Sequence, residues 1–128
     1  MDCRIELIFV PVTDVDRARD FYVDQVGFTL DHDVRVDDQV RFVQLTPVGS
    51  GCSIAFGEGI TDLVPGSQHG IQVVVDDAAA ARADLVANGV DATEIDVQAW
   101  GTFTSFADPD GNRWHVQELP AEMRQPAS

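Results

Sequence analysis

The apolar positions of this chain change period in a fixed order, and they do so twice. LIFVPV (7–12) is a strand-like apolar run, after which Val15, Ala18, Phe21, Tyr22 and Val26 recur at helical spacing until Gly27 supplies a stop. GIQVVV (70–75) is strand-like again, followed by the stripe Ala78, Ala81 and Leu85, which ends at Asn88-Gly89. Thr13 or Asp14 caps the first predicted helix and Asp76 or Asp77 the second, because a short oxygen-bearing side chain satisfies the unpaired N–H groups of a first turn. Laying Ala18-Arg19 on Ala81-Arg82 also brings Asp14 onto Asp77. The chain therefore reads as an internal repeat, offset by about half its length.

Strand candidates follow each helix. After the first come 28–36, 40–46 and 52–56, separated by Asp37-Asp38 and by Pro47-Val48-Gly49-Ser50-Gly51. After the second come 91–97, 102–107 and 113–118, broken around Gly101 and at Asp108-Pro109-Asp110-Gly111. Each half is thus a βαβββ module, the first over about 4–56 and the second over about 70–119, with 57–69 as a turn-rich linker. A module buries one sheet face under its helix and leaves the other open. Two modules side by side predict an α+β fold with an open, barrel-like, curved mixed sheet and a concave ligand cavity.

Strand alternation sorts the side chains into two sets. Ile8, Val10, Ile54, Phe56, Ile71, Val73, Val75, Trp114 and Val116 are expected against the helices. Leu7, Phe9, Ser53, Ala55, Gln72, Val74, Phe103, Ser105, His115 and Gln117 are expected on the concave side. This second set mixes apolar walls with a few polar points, which suits a modest organic ligand. Trp100, beside Gly101, is the candidate rim aromatic, and His32 is assigned to a solvated face.

Composition narrows the partners. The 128 residues fit a single domain, and no apolar run approaches the ~20 residues of a membrane span. Asp2, Arg4 and Glu6 interrupt the apolar region that a signal peptide needs, so a cytoplasmic location is expected. Two cysteines, Cys3 and Cys52, lack the paired spacing of a metal or redox motif. A formal net charge of -14 disfavours nucleic acid and anionic membranes and would attract a cationic compound. No serine or cysteine stands in a nucleophile elbow, and GEGITDLVPG lacks the lysine of a phosphate loop.

The repeat, the opening VPVTDVDRARDFYVDQVGF and the closing FADPDGNRWHVQE together resemble the glyoxalase / bleomycin-resistance / dioxygenase group, the vicinal oxygen chelate superfamily, over about 5–118. The resemblance implies a homodimer and, in the enzymes of the group, one divalent metal ion held by the first and last strands of each module. Its antibiotic-binding members keep the cavity without the metal. The four ligand positions fall here on Leu7, Ser53, Gly70 and His115, of which His115 alone is a strong donor. A shifted register would offer His69 beside His115, a weak alternative site.

The leading expectation is a cofactor-free protein that binds, and sequesters, an organic or antibiotic-like compound through Leu7, Phe9, Ser53, Gln72, Trp100, Phe103, His115 and Gln117. The alternative is a lyase, isomerase or dioxygenase that uses His115 with an atypical site for one divalent metal ion, or as a general base whose unperturbed pKa, roughly 6.5, suits neutral pH.

Overall fold

The computed structural model describes residues 1–124. Its internal contacts divide the chain into two units, Met1–Gln68 with Asp108–Asn112, and His69–Ala107 with the segment from Arg113 onward. In the first, β1 (Leu7–Phe9) runs parallel to β4 (Ser53–Glu58), and β3 (Arg41–Thr46) and β2 (Thr29–Arg35) complete the order β1-β4-β3-β2. In the second, β5 (Ile71–Val75) runs parallel to β8 (Arg113–Glu118), and β7 (Gly101–Ala107) and β6 (Asp96–Gln98) complete the order β5-β8-β7-β6. These are two four-stranded mixed sheets.

Each module's helix starts on an aspartate in the same way. Asp14 accepts a 3.0 Å hydrogen bond from the Arg17 N–H at the start of α1 (Val15–Asp20). Asp77 accepts a 3.0 Å bond from the Ala80 N–H at the start of α2 (Ala78–Ala87). The caps are thus the two residues that the repeat aligns, and Thr13 is left for another partner. Beyond Asp20 the first helix widens into a π-helical segment, Phe21–Val26, which Gly27 ends in the left-handed region at φ 92°. The buried rings of Phe21 and Tyr22 meet there edge to face, at 5.1 Å between centroids.

The first core lies under this helix. Val10, Val43, Leu45, Ile54 and Phe56 are buried, as are Val15, Ala18, Phe21 and Tyr22. Each fully buried side chain of this size contributes roughly 1.5–3 kcal/mol, so apolar packing dominates the stability of the unit. At its edge Arg41 reaches both Asp33 and Asp16 at 2.9 Å, and Arg19 reaches Asp33 at 2.7 Å, which ties α1 to β2 and β3 by charge. The second core contains Ile71, Ala78, Leu85, Phe106, Trp114 and Val116, with Phe106 stacked on Trp114 at 6.0 Å. Glu118 adds a bond from sheet to helix by accepting the Ala78 N–H at 2.9 Å.

The Asp108–Asn112 loop belongs to the first unit, although the strands it joins belong to the second. Asp108 Oδ1 accepts the N–H groups of Asp110 and Asn112 at 3.0 and 2.9 Å, which closes the loop on itself. Asn112 Nδ2 donates to the Pro11 carbonyl at 2.7 Å, and its Oδ1 accepts the Gln68 N–H at 3.1 Å. Thr13 donates its hydroxyl to Asp110 Oδ1 at 2.7 Å. Gly66, at φ 81°, packs so close that a Cβ would stand 2.2 Å from the Asp110 carbonyl oxygen.

Two boundaries differ from those the residue pattern predicts. The 91–97 segment forms a strand only at Asp96–Gln98. Side chains occupy its acceptors instead: the Thr93 carbonyl receives Arg82 Nε and Thr104 Oγ1, both at 2.8 Å, so no ladder forms there. Gly57 and Glu58 belong to β4 rather than to the linker, paired with Phe42 and Arg41. Among the described residues no helix is long and apolar enough to cross a membrane.

Candidate functional site

In each unit ladder register fixes the neighbours of the residues that the alternation singles out. In the first unit Leu7 stands opposite Ser53, and Phe9 opposite Ala55, which pairs on its other side with Gln44. Leu7 is half-buried, Phe9 exposed and Ser53 buried. In the second, Gln72 stands opposite His115, which pairs on its other side with Ser105, while Gln117 faces Val74 and Phe103.

The first sheet holds a polar chain that strand alternation alone does not reveal. A bulge between Leu30 and His32 leaves Asp31 as the extra residue of β2, so Leu30 pairs with Leu45 while His32 pairs with Gln44. Bulges re-aim side chains in this way. The Asp31 carboxylate accepts a short hydrogen bond from the Thr46 hydroxyl. Thr46 Oγ1 is in turn 2.7 Å from Ser53 Oγ. His32 is exposed, as its sequence setting suggests, and its register with Gln44 puts it beside this face.

The second sheet holds its own chain. Gln72 Nε2 donates to Gln117 Oε1 at 2.8 Å, and Gln117 Nε2 donates to the Trp100 carbonyl at 3.0 Å. Gly101 makes room for this arrangement, since a Cβ there would lie 2.7 Å from Gln117 Nε2. The Trp100 side chain itself is 59% exposed. His115 is half-buried, and its Nδ1 lies 2.9 Å from Ser105 Oγ. If the serine donates, Nε2 carries the ring proton; if Nδ1 donates, Nε2 is an acceptor.

The donor set does not fit a catalytic metal ion. Leu7 and Ser53 are direct neighbours, so two of the four positions expected to supply ligands offer a hydrocarbon and a neutral hydroxyl side by side. Gly70 offers no side chain, and it precedes Ile71, whose ladder partner is Trp114 rather than His115. His69 is exposed ahead of β5. Among the described residues, no three His, Cys, Asp or Glu side chains gather so as to hold a metal ion.

An open depression of about 680 Å³ lies elsewhere in the first unit, along Asp14, Asp16, Arg17, Asp20, Phe21, Asp24, Gln25 and Pro109. It contains none of the residues expected to bind ligand. Its carboxylates are exposed ones of α1, its cap Asp14 and the π-helical segment that follows.

Comparison with known proteins agrees with this architecture. The antibiotic binding protein TnmS3 from Streptomyces sp. CB03234 superposes with a TM-score of 0.85 at 33% identity, over 93% of this chain and 98% of that one. A glyoxalase/bleomycin resistance protein from the same strain gives 0.78 at 34% identity, over 89% and 99%. The uncharacterized protein YetH of Bacillus subtilis (strain 168) is 25% identical over 119 residues, which is 90% of this chain and 98% of that protein. The model of the Glyoxalase/Bleomycin resistance protein/Dioxygenase superfamily matches residues 4–116, from ahead of β1 into β8, and the chain belongs to that superfamily.

Proposed function

We propose that this protein binds a small organic, antibiotic-like compound and sequesters it without a resident metal ion. The observation that carries the reading is the pair Leu7 and Ser53, adjacent in the ladder where a metalloenzyme of the group would need two strong donors. The faces around these positions combine apolar side chains with a few directed hydrogen-bonding groups, the composition of an organic ligand site. The 33% identity to TnmS3, named as an antibiotic binding protein, supports the same class of ligand. In this reading each sheet offers its own contacts to such a compound, Leu7, Phe9 and Ser53 on the first, and Gln72, Trp100, Phe103, His115 and Gln117 on the second. A net charge of -14 favours a cationic compound, and the working form is a homodimer, which sedimentation measures directly.

A thermal-shift panel of aromatic and cationic antibiotics tests the reading, because a compound that binds only the folded chain raises its Tm. The expected result is a stabilising compound recovered chemically unchanged. A panel without any stabilising compound overturns the binding reading. Conversion of the compound overturns sequestration and favours the alternative in which His115, hydrogen-bonded to Ser105, acts as a base.

A further inference from the structure

The polar chain on the first sheet has a direction. An ionised carboxylate has no proton to give, so the Thr46 hydroxyl spends its single proton on Asp31. Two hydroxyl oxygens at 2.7 Å need a proton between them, and the only one left for Thr46 Oγ1 to receive comes from Ser53. Ser53 Oγ has no other hydrogen-bond partner among the described residues, so both of its lone pairs are unused. The serine is thereby fixed as an acceptor.

From this polarity we propose that Asp31 and Thr46 are positioning residues that make Ser53 select ligands presenting a hydrogen-bond donor, such as a phenolic hydroxyl or an N–H, beside an apolar or aromatic body. The inference rests on the reading of this face as a ligand site and adds which chemical group the ligand must place there. The apolar part of the requirement comes from the ladder neighbours, since Leu7 stands opposite Ser53, and Phe9, with 36% of its surface exposed, follows on the same face. The bulge makes the selection. In an unbulged β2, Asp31 would take His32's place in the ladder opposite Gln44; the extra residue lets the carboxylate reach Thr46 while the histidine holds the paired position. A ligand carbonyl or ether oxygen aimed at Ser53 would meet a lone pair, whereas a hydroxyl would complete the chain.

The test uses two probes with the same ring system, 2-naphthol as donor and 2-acetonaphthone as acceptor, titrated by calorimetry into the whole chain and three variants. Wild type should prefer 2-naphthol. Ser53→Ala should weaken 2-naphthol binding about tenfold, the loss of one hydrogen bond, while leaving 2-acetonaphthone nearly unchanged. Thr46→Val keeps the serine and frees its proton for the ligand, so 2-acetonaphthone should bind about tenfold more tightly. Asp31→Ala, at an exposed position, should give the same gain, because Thr46 then has a proton for Ser53 and Ser53 one for the ligand. A merely structural role for Asp31 or Thr46 lowers both affinities together and does not exchange their order. The inference is wrong if 2-acetonaphthone gains nothing in either Thr46→Val or Asp31→Ala, or if wild type binds both probes equally. Binding of neither probe also overturns it, and the antibiotic panel then decides the binding reading separately.

Discussion

The Tyr22 hydroxyl donates a 2.8 Å hydrogen bond to Oδ2 of Asp108, a buried contact between residues 86 positions apart in sequence. The same Oδ2 accepts Asn112 Nδ2 at 2.8 Å, so one carboxylate joins the π-helical segment to the Asp-Pro-Asp-Gly-Asn loop. The Tyr22 ring meanwhile stacks on Phe28 at 5.7 Å, which holds the hydroxyl in place. Removing the hydroxyl deletes a bond to a charged acceptor without disturbing the ring. Tyr22→Phe should cost roughly 1.5–3 kcal/mol, and Asn112→Ala, which deprives Pro11, Gln68 and Asp108 of partners, should cost more. Urea unfolding monitored by circular dichroism measures both; a Tyr22→Phe midpoint equal to wild type would refute the contact.

The Arg19, Asp33, Arg41 and Asp16 cluster sets an acid dependence. Hydrogen bonds from Arg41 lower the Asp33 carboxyl from its ordinary 3.8 to about 2, opposed by partial burial and aided by Arg19. The folded value lies below the unfolded one, so the stabilisation is complete above about pH 4 and fades as pH falls toward 2. Its size is on the order of 1–2 kcal/mol, given the partial exposure of the group. Asp33→Asn should lower Tm at pH 7 and converge on wild type near pH 2. Parallel Tm curves over that range would exclude Asp33 as the source.

How much of this was legible in the sequence depends on whether the partner of a residue is local. The caps were, because Asp14 and Asp77 act on N–H groups three positions ahead, Arg17 and Ala80, and the helical periods begin right after them. The alternation of the last strand was too: Trp114 and Val116 are buried while His115 and Gln117 between and beyond them are half-buried. The loop at 108–112 looked like a turn launching the last strand, yet its side chains bind Pro11, Thr13, Tyr22 and Gln68, contacts that no local pattern encodes. The bulge at Asp31 was equally hidden. DHDVR alternates without a visible break, so Asp31, Gln44 and Thr46 escaped notice as companions of Ser53.

The side-by-side placement of Leu7 and Ser53 leads to a prediction about metal ions. Protein purified without chelator should retain substoichiometric zinc, nickel, iron and manganese, and EDTA should leave Tm unchanged, because one imidazole with neutral neighbours binds such ions weakly. Elemental analysis of wild type and His115→Ala decides the matter. One equivalent of metal in wild type that vanishes in the variant would sink the metal-free reading.

Trp100 and Trp114 differ enough to report ligand binding separately. Trp114 is 1% exposed and stacked on Phe106, whereas Trp100 is 59% exposed while its carbonyl accepts a bond from Gln117. A planar compound held near Gln117 and Phe103 therefore has an indole available for stacking, worth about 0.5–1.5 kcal/mol beyond buried area. Adding such a compound should quench the red-shifted part of the emission that Trp100 contributes and spare the blue part from Trp114. Trp100→Phe should abolish most of the quenching while weakening affinity only a few-fold, since phenylalanine still stacks. Trp100→Ala should lose roughly tenfold, because the stacking surface goes with the ring. If the compound quenches Trp100→Phe as strongly as wild type, Trp100 is no rim contact, and the ligand sits closer to Trp114 than the second sheet's open face allows.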